Sequence, residues 1–222
     1  MDKIFPQHIY KFEVPNYKVL NKDIISEIYE LYQEDPMGVR MTNSGGWHSE
    51  NSKPKFGELS QIISNFFSKY ILNLNDNMNI NEIWANINYQ NSFNRAHNHG
   101  ARTYMSGVYY VKIPKNSGNL YFLNPHTTSV TRTYPEIFVE ENKNAEIEYE
   151  PKEGDLYFFR GNVMHGVKEN LSGDDRISIS FNFLFPRGKT QPITGTCNGG
   201  ESIYKRTKEK IKEKRRRRGA NK

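Results

Sequence analysis

Cysteine is almost missing from this chain. Its 222 residues include one, Cys197, which excludes an intrachain disulfide framework and a cysteine-based zinc cluster. Long apolar runs are missing too, and no stretch is long enough to cross a bilayer. The opening residues, MDKIFPQHIYKFEVP, lack the apolar centre of a secretory leader. Apolar residues make up only 36%, low for a globular chain, so the core must draw on the 13% that are aromatic. These absences fit a reducing, cytoplasm-like compartment, and a virion component would look the same. Net positive charge is also missing outside the C-terminus. Residues 205–222 hold eleven Lys or Arg against two Glu, a balance of +9. The remainder is therefore at −3 in a chain of net charge +6. The basic character belongs to the tail and says nothing of the folded surface.

What is present changes character near residue 80. Before it, Ile24, Ile25, Ile28, Leu31 and Tyr32 recur at helical spacing, with Asn21 or Asp23 as candidate caps and a stop at Asp35-Pro36. A second amphipathic stretch carries Leu59, Ile62, Ile63, Phe66, Phe67 and Tyr70. Between them lies a polar, glycine-bearing loop with Trp47 and His48, an exposed cover for a site mouth in this reading. From Asn81 onward, short segments rich in β-branched and aromatic residues alternate with turn-formers such as Asn116-Ser117-Gly118-Asn119 and Glu153-Gly154-Asp155. About eight such strands predict a mainly β fold with N-terminal helices, a double-stranded β-helix of the jelly-roll, cupin-like kind. The predicted organisation is a helical support region at 1–80, a β-helix core at 81–186, and an extension at 187–222 that includes the basic tail. Residues 124–145 form a longer connection placed to overlie a site. In the last strand, Arg176, Ser178, Ser180 and Asn182 share one face and Ile177, Ile179, Phe181 and Phe183 the other. Such alternation buries the apolar face. A cavity and plain solvent would both produce the polar one.

The residues with metal chemistry are few. His97 and His99 flank Asn98 at the end of a strand-like segment, and residues two apart on a strand point to one side. Neutral imidazole suits first-row metals. His165 begins another strand and is a candidate third ligand. The ordinary alternative is three polar histidines near loops. Arg176 and Ser178 could grip a carboxylate, since guanidinium makes paired charge-assisted bonds and a hydroxyl adds a donor. The ordinary alternative there is a solvated strand arginine.

The segments HNHGARTYMSGVYYV, GDLYFFRGNVMHGV and DDRISISFNF, with the upstream GGWHS (Gly45 to Ser49), resemble in order and spacing the Fe(II)/2-oxoglutarate-dependent dioxygenase superfamily. The resemblance is narrower to the oxygenases of this kind that phage and bacterial genomes encode. It spans roughly residues 40–186. It implies iron as the metal and 2-oxoglutarate and O2 as cosubstrates. His97 then matches the first iron ligand, His165 the distal one, and Arg176 with Ser178 the grip on the far carboxylate of 2-oxoglutarate. Tyr110, and less directly Asn86, Asn88 and Tyr104, would help hold cosubstrate or substrate. His99 stands where most of the superfamily has Asp or Glu. Two arrangements are open: a three-histidine site, or a two-histidine site in which His99 does not bind. Asp155 is a conceivable replacement carboxylate, though a turn residue by position. Arg160 stands where proline is frequent in this group and would meet an anionic substrate or solvent.

The leading expectation is an oxygen-using hydroxylase of unknown substrate. A non-enzymatic jelly-roll virion or assembly protein, its tail on nucleic acid, is the second reading. A cupin-like metalloenzyme without 2-oxoglutarate is the third, and it leaves Arg176 and Ser178 without a job. The tail at 205–222 would take an acidic partner or nucleic acid phosphates, against the plainer reading of a solvated tail.

Overall fold

The computed structural model describes residues 7–51, 56–74, 78–125 and 145–184. The chain divides into two units, 1–185 and 186–222. The second lies outside the described residues, as do the basic tail and nearly all of the 124–145 connection. Among the described residues no helix is long and apolar enough to cross a membrane.

Among the described residues, eleven strands form two antiparallel sheets. The larger runs β1 (Ile9–Glu13), β9 (Asp155–Arg160), β6 (Thr103–Lys112), β11 (Arg176–Leu184), β4 (Glu82–Asn88) and β3 (Trp47–His48). The smaller runs β2 (Asn43–Ser44), β5 (Phe93–His97), β10 (His165–Val167), β7 (Leu120–Leu123) and β8 (Glu146–Tyr149). From β4 onward successive strands alternate between the sheets, except that β7 and β8 pair with each other in the smaller one, so the polypeptide winds as a double-stranded β-helix. The predicted fold class is the observed one.

The helices explain why the larger sheet has two different faces. Helix α1 (Tyr17–Glu34) and α2 (Gly57–Phe66), which continues as a π-helical turn over Phe67–Leu72, bury Leu20, Ile24, Ile28, Leu59, Ile63 and Phe67 against its outer face. There Ile177, Ile179, Phe181 and Phe183 of β11 meet them, all fully buried, and Phe67 stacks on Phe183 at 4.0 Å. Burying each such side chain is worth about 1.5–3 kcal/mol. A smaller apolar cluster with Val108, Tyr110, Leu120, Phe122, Tyr157 and Phe159 lies between the sheets. The alternation in β11 therefore reports a double burial: its apolar face meets the helices and its polar face lines the barrel interior.

Gly107 shows how tightly the layers fit. A Cβ there would stand 2.3 Å from both the Phe181 ring and the Tyr157 carbonyl oxygen. Only glycine lets β6 pass between β9 and β11 at this point.

Several expectations change. The first third of the chain is not only helical, because β1, β2 and β3 pair into the sheets, β1 along the edge of β9. Helix α1 starts at Tyr17, so neither Asn21 nor Asp23 caps it. Asn21 is buried inside the helix–sheet contact, where its amide donates to Val111 O at 2.7 Å and accepts from Tyr109 OH at 2.6 Å. Trp47 and His48 are buried rather than exposed, because β3 pairs them with Ile87 and Asn86. Trp47 packs edge-on against Tyr32 at 5.6 Å and donates its indole N–H to Asp35 O, away from any mouth.

Candidate metal centre

The strand register brings the histidines together. His97 ends β5 and His165 begins β10, and the two are direct partners across neighbouring antiparallel strands. Their ring centroids are 4.4 Å apart. His99 lies just past β5, where its backbone N–H donates to Gly161 O at 2.8 Å and its carbonyl accepts from the Thr103 hydroxyl at 3.0 Å. These anchors set its ring parallel to His165, centroids 5.1 Å apart, with the two Nε2 atoms 3.3 Å from each other. One ligand nitrogen from each of the three histidines falls within 4.8 Å of the others.

Tautomers follow from the partners. Nδ1 of His97 lies 2.8 Å from Arg95 O and Nδ1 of His165 lies 2.8 Å from Val163 O. A carbonyl only accepts, so each Nδ1 carries the proton and each Nε2 keeps its lone pair. Backbone acceptors of this kind orient metal-binding imidazoles. Burial also keeps the rings neutral. Desolvation holds His97 below its ordinary pKa. It takes His99 down to about 4 and His165 to about 3, with His97 nearby adding to both.

No carboxylate joins the cluster among the described residues. Asp155 sits at the start of β9, while the loop to His165 leaves that strand's other end. It is buried in a turn, paired with Lys11 Nζ at 2.8 Å and accepting from Lys152 N. It is not a replacement ligand.

A cavity of 470 Å³ opens beside the three rings. Ser106, Ser178, Ser180 and Asn86 form part of its polar wall, and exposed Arg102 lies at its edge. His48 also faces it, stacked on Trp84 at 5.6 Å, with Nδ1 held at 2.6 Å by Ser49 O. Arg160 is exposed and does not line the cavity, because it ends β9 pointing outward. Tyr104 does not line it either. Its ring packs on Phe67 at 6.2 Å, on the helical side, so it is not placed to hold a cosubstrate. Asn88 is committed to Asn94 at 3.1 Å and Asn86 to Ser180 at 3.2 Å.

Arg176 is 1% exposed and has no carboxylate partner among the described residues. One terminal nitrogen, Nη1, donates to the carbonyls of Ser117, Gly118 and Lys168. The other, Nη2, is buried without a partner among the described residues, and so is the hydroxyl of Tyr110. Burial lowers the guanidinium pKa only to about 10, so it stays charged, and burial raises that of Tyr110. A buried cation left with an unused donor costs free energy unless an anion meets it. Tyr110 is the register partner of Ser178. The cavity wall includes Ser178, while Arg176 and Tyr110 lie further along the same strand faces.

The sequence pattern did not single out Glu82, Asn94, Arg102 or Ser106 as lining residues. Ser106 was legible in principle, since it shares a strand face with Tyr110.

The barrel and its convergent imidazoles define a double-stranded β-helix with a cluster of three histidines that could hold a metal ion. Residues 82–182 match the family described as "Putative 2OG-Fe(II) oxygenase". The fold is similar to that of a Pseudomonas putida prolyl-4-hydroxylase (TM-score 0.54, 17% identity, 80% of this chain and 92% of that one). It is also similar to a Trichoplax adhaerens prolyl hydroxylase solved with a hypoxia-inducible-factor peptide (0.57, 13%, 79% and 83%). A third similar structure is HygX from Streptomyces hygroscopicus, solved with nickel, 2-oxoglutarate and hygromycin B (0.56, 12%, 79% and 82%). The sequence matches no curated protein.

Proposed function

We propose that the protein hydroxylates a C–H bond of a still unidentified substrate, with His97, His99 and His165 as the iron ligands. The reaction would consume 2-oxoglutarate and O2, giving succinate, CO2 and the alcohol. The observation that carries this reading is the convergence of three neutral imidazoles on a cavity, with the buried Arg176 further along one wall strand keeping one terminal nitrogen, Nη2, unused. Neutral nitrogen donors fit iron(II) chemically, and the orphaned Nη2 of Arg176 fits the far carboxylate of a keto diacid. Bound iron supplies the site for keto-acid chelation and oxygen activation. The chain's own residues do the rest. Arg95 O and Val163 O hold two ligand rings in the right tautomer. Arg176, Ser178 and Tyr110 fix the length and direction of the diacid, and the cavity wall excludes bulk water.

The test is an anaerobic titration of the protein with Fe(II) and 2-oxoglutarate, watching for the metal-to-ligand charge-transfer band. The band is expected in wild type and absent in His97→Ala, His165→Ala and Arg176→Ala. A well-folded wild type that shows no band sinks the oxygenase reading. A band retained in His99→Ala removes only the three-histidine version.

A further inference from the structure

We propose that the substrate of this site is a cation, whose ammonium or guanidinium group is received by Glu82 at the end of the cavity away from Arg176. The inference rests on the oxygenase reading above and adds to it the charge of the substrate.

The sheet register gives the position. Glu82, Trp84, Asn86 and Asn88 alternate along one face of β4, opposite Asn182, Ser180, Ser178 and Arg176 of β11. The first three line the cavity. Arg176 stands at one end of this double row and Glu82 at the other. His99 belongs to the Glu82 end, because its Nε2 lies 3.3 Å from the Oγ of Ser106, and Ser106 is the register partner of Asn182. A diacid held by Arg176 is thereby kept from the like charge of Glu82, which is left to the substrate.

Glu82 is fixed in the wall. It is partly buried, and its Oε2 accepts the side-chain amide of Asn182, itself 4% exposed, at 2.7 Å. A neutral amide orients the carboxylate but leaves its charge unanswered. Among the described residues no cation pairs with Glu82. A partly desolvated carboxylate without a counter-charge is unfavourable, and a cationic ligand relieves it with charge-assisted hydrogen bonds. His48 supplies a second acceptor. Its Nδ1 lies 2.6 Å from Ser49 O; a carbonyl only accepts, so Nδ1 carries the proton and Nε2 keeps its lone pair. The ring lines the cavity, stacked on Trp84. One wall thus carries a carboxylate, an indole and an imidazole lone pair. An ammonium or guanidinium has N–H donors for both acceptors and a charge that suits the carboxylate and the aromatic ring. Arg102 is the one Lys or Arg lining the cavity among the described residues. It is exposed at the edge and makes no ion pair with Glu82, so the charge of the inner wall stays negative.

The experiment titrates the full-length protein, loaded with Co(II) and 2-oxoglutarate, with n-butylguanidinium and n-butylammonium. The neutral n-butylurea and the anionic n-butyrate are the counterparts. Calorimetry gives the affinities, and the visible Co(II) spectrum confirms loading. At least one cation should bind about 10-fold or more tightly than n-butylurea, the usual gain from a charge-assisted bond. Glu82→Gln keeps an acceptor for Asn182 and removes only the charge, so it should abolish that preference. Should Glu82→Gln fold poorly, Glu82→Ser and the wild-type ranking of the four probes carry the same test. Cations that bind no tighter than n-butylurea, a preference for n-butyrate, or a cation preference that persists in folded Glu82→Gln or Glu82→Ser overturns the cation site. The absence of the charge-transfer band with Fe(II) and 2-oxoglutarate in wild type instead overturns the oxygenase reading on which it rests.

Discussion

His97 and His165 are direct partners across β5 and β10, their ring centroids 4.4 Å apart although 68 positions separate them in the chain. One interstrand register therefore brings together two of the three candidate ligands. Changing either residue to alanine should weaken Co(II) or Fe(II) binding by more than the roughly 10- to 100-fold that loss of an orienting partner costs. Equilibrium dialysis against the metal is the measurement. Wild-type affinity in either variant would exclude that residue as a ligand.

Acid should destabilise the metal-free protein early. His48, His97, His99 and His165 all have folded-state pKa values below 6.5, those of His99 and His165 at about 4 and 3. As pH falls through 6.5 the unfolded chain takes up protons that the folded chain refuses, so stability drops. Each group contributes up to about 1.4 kcal/mol per pH unit until its folded pKa is reached. Urea unfolding at pH 7, 6 and 5 should show a steep decline, made shallower by His165→Gln. A flat profile in wild type would contradict the burial of these rings as neutral groups.

The unused donor of Arg176 predicts that 2-oxoglutarate stabilises the metal-loaded protein. At 100 times its Kd a ligand adds about 2.7 kcal/mol, which for a domain of this size is roughly 5–10 °C in Tm. Thermal shift in wild type and in Arg176→Lys separates charge from geometry, because an ammonium cannot span both the carbonyls and a carboxylate. The shift should nearly vanish in Arg176→Lys and fall in Tyr110→Phe, where affinity should drop about 10-fold for one lost charge-assisted bond. Equal shifts in all three proteins would remove the anion site from Arg176.

Gly107→Ala should be among the most damaging small changes. The added methyl meets the Phe181 ring and a backbone oxygen at 2.3 Å, and the backbone cannot yield cheaply. Overpacking of this sort costs about 1–3 kcal/mol or more. Denaturation midpoints compared with wild type give the value, and a loss below 0.5 kcal/mol, roughly the level of an ordinary surface change, would contradict the packing described.

The tail gives a separate prediction from charge alone. If residues 205–222 engage a polyanion, removing everything after Tyr204 should weaken nucleic-acid binding and flatten its salt dependence. Binding that is unchanged by the truncation rejects the role.

Much of this molecule was written locally. The two-residue period of β11 requires one apolar and one polar face whatever surrounds it, and the spacing in α1 requires an apolar stripe. The order of HNH, MHG and RISIS was enough to raise an iron and 2-oxoglutarate site, because ligand chemistry depends on residue type. Local pattern could not say what each face would meet. That the polar face of β11 lines a cavity follows only from the second sheet closing over it. Trp47 turned inward because β3 found β4, Tyr104 turned to the helices because Phe67 was there, and Asp155 was claimed by Lys11 from the edge strand. Asn182 meets Glu82 across 100 positions of sequence. Sequence by itself determined which groups are available and which strand face each occupies. The tertiary structure decided which of them meet, because register and sheet closure are set by contacts between residues far apart in the chain.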